Sequence, residues 1–393
     1  MLDKSFMSDK QKQEFVNLMK HLFCFNKYFH CLLTNFNIES VEEITFEVYN
    51  QLSVLTKNDI VAIGDNYFST TKEKVYSELT SGSTGIPFFC YKTFSERNKL
   101  ALEIHKYRMK WDKYVDPKYF FVLFGDNKEY DLTFADYSDE NLRNVFKVIK
   151  SCQARWLCGS PSVLFNYSKK IEQGVISAID SVKFIELQGE YVEESTRSFI
   201  ESQMNCKTIV HYGNRECWTI AYECPFGKLH LKKNVMAEVD NSEHGFNQLI
   251  VTTLINRYMP FIKYATGDIV DIIEPDCECG ARESVIIIHG GRIFASKIVG
   301  YELLGDIVFK KIIHNVLEGF TAKSDIIRRY RISQIGLNKF VYFLDAGKNF
   351  HNDILSQIKK DTKTLLSSEA EVDFIFQYED NPTGKYKTFS IDI

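Results

Sequence analysis

Up to about residue 75, apolar positions at Phe15, Leu18, Met19, Leu22 and Phe23 recur at the spacing of one helix face, which predicts a helical start to the chain. From Tyr119 onward the pattern changes. Short apolar runs alternate with amphipathic stretches: Tyr119–Phe124, Leu142–Ile149, Val163–Ile171, Val182–Leu187, Ser195–Gln203 and Thr208–His211. Strands alternating with helices predict a parallel-type sheet under helical cover, an α/β fold. Beyond Gly291 the spacing predicts a compact α+β mixture: a helix near Asp306–Leu317, strands at Ile326–Gln334 and Lys339–Leu344, a helix at Asn352–Leu366 and a strand at Glu371–Gln377. The boundary is expected near Gly290–Ala295, with residues 1–291 as a large N-terminal domain and 292–393 as a small C-terminal one.

Composition narrows the function classes. With 393 residues, 45% apolar and 25% charged, the chain can bury more than one core. A net charge of −4 offers no global positive field for a polyanion, which argues against nucleic acid as partner. The apolar run His21–Leu33 is interrupted by Asn26, Lys27 and His30, so it reads neither as a secretory signal nor as a membrane span. A cytoplasmic protein is the expectation. Ten cysteines in this length fall short of a disulfide scaffold, and most read as reduced core residues.

The stretch SELTSGSTGIP, Ser77–Pro87, is rich in Ser, Thr and Gly. Glycines let successive backbone N–H groups converge on phosphate oxygens, and hydroxyls add donors without bulk. The stretch lacks the lysine of the GxxxxGK[ST] loop, and taken alone it reads first as a hairpin connection and only second as a phosphate loop. A second constellation is Cys224, His230, Cys277 and Cys279, which suffice for a tetrahedral zinc shell. Their other reading is core or surface residues beside a reduced CxC pair. The aromatic cluster Phe120, Phe121 and Phe124 reads as strand interior first and substrate wall second, and His105 and His211 as structural histidines or substrate-facing ones.

Further segments accompany the Ser/Thr/Gly stretch: Gln188-Gly189-Glu190, His211-Tyr212-Gly213-Asn214-Arg215-Glu216, Tyr264-Ala265-Thr266-Gly267-Asp268 and Pro382-Thr383-Gly384-Lys385. In this order the chain resembles the adenylate-forming ligase superfamily, and more narrowly the phenylacetate-CoA ligase family with its capsule-biosynthesis and coenzyme F390 synthetase relatives. LSVLTKNDI, RWLCGSPSVL and CECGA carry the narrower resemblance.

The resemblance implies a large adenylation domain and a small mobile C-terminal one. Thr80, Ser81, Gly82, Ser83, Thr84 and Gly85 would hold the β- and γ-phosphates of ATP, and Glu216 would help position Mg²⁺. Gly189 and Glu190 would form the loop against the adenine, with Tyr212 stacking nearby beside Gly213. Asp268 would accept from the ribose hydroxyls, Arg292 would belong to the nucleotide site, and Lys385 would reach the α-phosphate and the substrate carboxylate. Asn214, Arg215 and Trp218 would line the acid pocket. The EC, LH and CxCG elements of that family look like a structural zinc site, which assigns Cys224, His230, Cys277 and Cys279 within about 224–280 to Zn²⁺.

The implied reaction activates a carboxylic acid as acyl-AMP with release of pyrophosphate, then transfers the acyl group to CoA or to an amine or hydroxyl compound. Two alternatives are nucleotidyl transfer that leaves AMP on the product, and a nucleotide-binding homologue without turnover. Arg215 stands where the family's motif has Thr or Ser, and Phe294-Ala295 where relatives usually show an acidic pair at the interdomain hinge. The first admits an anionic or sugar-like acid; the second makes CoA one acceptor among several. A homodimer is compatible with this reading.

Overall fold

A computed structural model describes residues 7–79, 88–130, 132–241, 246–292, 297–376, 378 and 386–393. Thr80–Gly85, Phe294, Ala295 and Lys385 therefore lie outside the described residues. The chain divides into two compact units, Met1–Val115 with His211–Ile288, and Asp116–Val210 with His289–Ile393.

In the first unit the helical start takes its expected form. Helix Asp9–Phe25 opens on a capping box of Ser8 and Gln11 and buries Phe15, Leu18, Met19 and Leu22. Asn26 leaves it in extended conformation, caps helix Lys27–Asn35 by accepting from the Phe29 N–H, and donates to the Tyr67 carbonyl and the Ser69 hydroxyl. Strands Val75–Leu79 and Phe89–Thr93 pair antiparallel, with Leu79 opposite Phe89. The alternating α/β pattern does not continue past Tyr212. Val235–Asp240, Gln248–Thr253 and Tyr264–Ile273 form an antiparallel meander, and the short strands Ala221–Glu223 and Leu229–Leu231 are also antiparallel.

The LSVLTKNDI motif has a structural task in this unit. Leu55 bridges in parallel to Tyr264 through two backbone bonds of 2.9 Å: its N–H donates to the Lys263 carbonyl, and its carbonyl accepts from the Ala265 N–H. Thr56 then opens helix Lys57–Ile63 with an Asp59 capping box. The motif thereby pins the start of the strand that carries Asp268.

The second unit contains the expected parallel sheet. Phe120–Leu123, Trp156–Gly159 and Phe184–Gln188 pair in parallel, joined through helices Asp139–Ser151 and Pro161–Glu172. Trp156–Gly159 is buried throughout, as a strand covered on both faces requires. A four-stranded sheet runs in the order Glu371–Ile375, Lys339–Ala346, Ile327–Gly336, Phe389–Ile391, with an antiparallel central pair and parallel edges. Phe309, Ile312 and Ile358 of helices Gly305–Leu317 and Asp353–Leu365 join Ile332, Tyr342 and Phe389 in its core. A Cβ on Gly305 would lie 2.1 Å from the Phe389 ring, so the helix packs there only with glycine. The expected fold class, helix-covered sheets with a small α+β element, is the one observed. Among the described residues no helix is long and apolar enough to cross a membrane.

Candidate active site

The turn Gly213–Trp218 follows strand Lys207–Tyr212 and is closed on itself. Trp218 N–H donates to the Asn214 carbonyl and Cys217 N–H to Asn214 Oδ1, both at 2.8 Å. Trp218 sits at φ +63°, in the left-handed region that bulky residues seldom occupy. A Cβ on Gly213 would fall 1.8 Å from the Trp218 carbonyl oxygen, so only glycine fits. The tight turn places Glu216 with 9% exposure, its Oε1 accepting from the Tyr264 hydroxyl at 3.0 Å. Burial, then the Glu216 charge, push the Tyr264 phenol far above its ordinary range.

Four residues on, the same strand supplies Asp268, whose Oδ2 accepts from the Tyr212 hydroxyl at 2.7 Å. Gly267 at φ +79° and the Thr266 hydroxyl, which accepts from the Asp268 N–H at 3.1 Å, set the backbone there. Tyr212, Glu216, Tyr264 and Asp268 thus form two hydroxyl–carboxylate pairs ordered by one strand. His211 is a satisfied structural histidine, its Nε2 2.7 Å from the Thr219 hydroxyl.

Trp218 and Arg215 meet residues that sequence reasoning passed over. The Trp218 indole N–H donates to Glu78 at 2.7 Å, and Glu78 pairs with Lys92 at 3.6 Å and Arg97 at 3.8 Å. Lys92, fully buried, donates to the Arg215 carbonyl at 2.6 Å. Arg215 itself is exposed. Glu78 and Lys92 occupy the paired strands on either side of residues 80–88, so the hairpin and the Glu216 turn share one polar network. A lysine in the apolar run Phe88–Thr93 was the signal available.

In the second unit, Gly189 adopts φ +88° beside the Phe124 ring. Glu190 turns inward: its Oε2 accepts from the Ser162 N–H at 3.2 Å and the Ser162 hydroxyl at 2.5 Å. Arg292 ends strand Val285–Arg292, exposed.

The four candidate zinc ligands come together in the first unit, with their ligand atoms all within 4.8 Å of one another. Cys224 Sγ lies 3.6 Å from Cys277 Sγ, and Cys279 Sγ 3.3 Å from His230 Nε2. Zinc with bonds of about 2.0–2.3 Å in tetrahedral geometry would hold its ligands at comparable separations. His230 Nδ1 is 2.8 Å from the Glu283 carbonyl, which only accepts, so Nδ1 carries the proton and Nε2 is left to ligate. Strand register puts His230 opposite Tyr222 and Val285, and a turn with Gly227 at φ +73° brings Cys224 back toward it. Burial raises the Cys224 thiol to about 11. At Cys277 desolvation also pushes upward, but hydrogen bonds from the Cys279 backbone, His230, Cys279 and Cys224 outweigh it and bring the thiol down to about 7.

No protein-family model matches the chain. Its structure resembles that of a 2-hydroxyisobutyryl-CoA ligase in the postadenylation state, crystallised with a hydroxyacyl-AMP, at TM-score 0.73 and 12% identity over 98% of this chain and 90% of that one. It also resembles the amide bond synthetase McbA from Marinactinospora thermotolerans, at TM-score 0.50 and 12% identity over 79% and 67% of the two chains. The chain has the fold of the adenylate-forming ligases. In sequence it is similar to Protein CapK of Staphylococcus aureus, 23% identical over 414 aligned positions that cover 98% of this chain and 88% of that protein.

Proposed function

We propose that this chain is an ATP-dependent adenylate-forming ligase of the phenylacetate-CoA ligase type. A carboxylate oxygen of the substrate attacks the α-phosphorus of ATP, the bond to the β-phosphate bridging oxygen breaks, and pyrophosphate leaves. The nucleophile is already an anion, so no general base is required. The difficulty is the charge gathered as two anions meet.

The observation that carries this reading is that one strand, Tyr264–Ile273, orders both carboxylates the reaction needs. Tyr264 donates to one oxygen of Glu216, and the other would be available to Mg²⁺; Tyr212 donates to Asp268, which would accept from the ribose hydroxyls. Mg²⁺ held by Glu216 and the phosphates would neutralise the pyrophosphate that departs. Lys385, from the small domain assigned to residues 292–393, would neutralise the α-phosphate and the incoming carboxylate. Thr80–Gly85 would donate to the β- and γ-phosphates, and the Gly189–Glu190 loop, with Arg292, would contact the nucleotide. Trp218 and Asn214 would bound the acid, with Arg215 at the rim favouring an anionic or hydroxylated one.

The Cys224/His230/Cys277/Cys279 shell has no position open for substrate, so zinc there would be structural. The acyl group then passes to CoA, or to an amine or hydroxyl acceptor. The likeness to a CoA ligase favours CoA, and the weaker likeness to an amide bond synthetase keeps an amine as the second acceptor.

Carboxylate-dependent exchange of labelled pyrophosphate into ATP tests the reading. Over a panel of organic acids, exchange is expected for the native chain and a loss of about 10²–10³ for Lys385→Ala, with ATP binding retained. Undiminished exchange in that variant would contradict the assignment.

A further inference from the structure

Three consecutive residues of strand Ile327–Gly336 bond around the loop after strand Phe184–Gln188, which carries Gly189 and Glu190: Tyr330 to Glu193 at its end, Arg328 to Thr196 in the helix that follows, and Arg329 to Ser162, which holds Glu190. Arg329 is 1% exposed and donates from Nη2 to the Ser162 hydroxyl at 2.6 Å. That hydroxyl and the Ser162 backbone N–H both bind Glu190 Oε2. Ser162 lies in the first turn of helix Pro161–Glu172, where backbone N–H groups point outward and favour an anion. The Tyr330 hydroxyl donates to Glu193 Oε1 at 3.1 Å, and the Arg328 carbonyl accepts from Thr196 Oγ1 at 2.7 Å. Arg328 holds Glu172 by two bonds of 2.8 Å.

Within this set Arg329 is the most enclosed member. Its guanidinium lies 4.1 Å from the Tyr386 ring centre and 5.0 Å from that of Phe165, and the Tyr386 hydroxyl donates to the Tyr330 carbonyl at 2.6 Å. A planar cation between rings has little freedom to rotate, so its bond to Ser162 has a fixed direction. With Oε2 of Glu190 committed to Ser162, the carboxylate points into the protein. The loop then presents backbone, not a mobile anion, to whatever it binds.

We infer that Arg329 is a positioning residue for nucleotide binding, acting through Ser162 on Glu190 to hold the Gly189–Glu190 backbone in a shape ready for the adenine of ATP. The inference rests on the proposed adenylation reading, since that reading assigns the loop to the nucleotide. Breaking the relay at Ser162 releases the Glu190 carboxylate, which repels the nucleotide and loosens the loop. Arg329 touches neither reacting carbon nor phosphorus, so its effect belongs to ATP affinity and not to the chemical step.

Isothermal titration of the full chain with ATP and Mg²⁺, joined to pyrophosphate-exchange kinetics, tests this on Ser162→Ala, Arg329→Lys and Arg329→Met. Ser162→Ala is expected to raise Kd and KM for ATP about tenfold while kcat stays within about twofold. Arg329→Met is expected to do the same, and Arg329→Lys, which keeps a donor and the charge, to recover most of the affinity. Adding Ser162→Ala to Glu190→Gln should cost little beyond either change alone, because both cut one relay. Native ATP affinity in Ser162→Ala would overturn the inference alone, as would a parallel fall of kcat and melting temperature with KM unmoved. Should the Met variant fail to fold, Ser162→Ala still decides. A native chain that binds no ATP would overturn the adenylation reading and this inference together.

Discussion

The Cys/His cluster of the first unit and the Ser162–Glu190–Arg329 relay of the second hold their surroundings by opposite means. The cluster gathers three thiols and an imidazole whose mutual contacts are weak, and only a cation from outside would make them cohere. The relay carries its own cation, charge-assisted hydrogen bonds and aromatic walls, and is complete as the chain folds. The first is therefore a place where stability depends on what is bound, the second a place where stability is intrinsic and binding depends on geometry.

Removing metal should break that contrast most visibly. Purified protein is expected to hold about one equivalent of zinc, and its removal by a strong chelator to cost at least ~3 kcal/mol, read as a fall in melting temperature of several degrees. A metal-free preparation with unchanged melting temperature would remove the structural role. Arg329→Met should cost about 2–4 kcal/mol, by loss of buried packing and of the Ser162 bond, and equally with or without chelator. A cost that vanished in the metal-free protein would show the two regions to be coupled.

A smaller effect concerns thiol reactivity. In metal-free protein Cys277, with its thiol near 7, should alkylate progressively as pH rises from 6 to 8, whereas Cys224, near 11, stays protonated and unreactive across that range. Zinc should protect both, which mass mapping of labelled peptides checks. The smallest concerns Glu193, whose carboxyl is raised by burial despite Lys310 and the Tyr330 hydroxyl. The folded state favours its neutral form, so its contribution is present below the ordinary carboxylate range and lost as pH climbs through the raised value. Glu193→Gln should flatten that part of the melting-temperature profile; an identical profile would place the pH dependence elsewhere.

Local periodicity made much of the architecture legible. Phe15, Leu18, Met19 and Leu22 share a helix face, and the strand–helix alternation from Phe120 to Tyr212 follows the apolar runs closely. The antiparallel strands after Ala221 were not legible: Ala221–Glu223 and Leu229–Leu231 are too short for a period of two to register, and Gln248–Thr253 is buried at every position, so it shows no alternation. The cysteine and histidine set was legible from chemistry, although the register that sets His230 opposite Val285 was not. Lys92 and Glu78 were missed because a charged residue in a strand reads as solvent-facing until its partner is seen. Arg329 was missed for a stronger reason. It lies 167 positions from Ser162, and no local pattern announces a bond of that span.

The proposed reaction turns on one bond, from a carboxylate oxygen to the α-phosphorus of ATP. Turnover with an exchange-competent acid labelled with ¹⁸O in its carboxyl group, followed by mass spectrometry of both phosphorus products, reads that bond directly. One labelled oxygen in AMP and none in pyrophosphate is the expected result; unlabelled AMP, or label in any other phosphorus product, would contradict it.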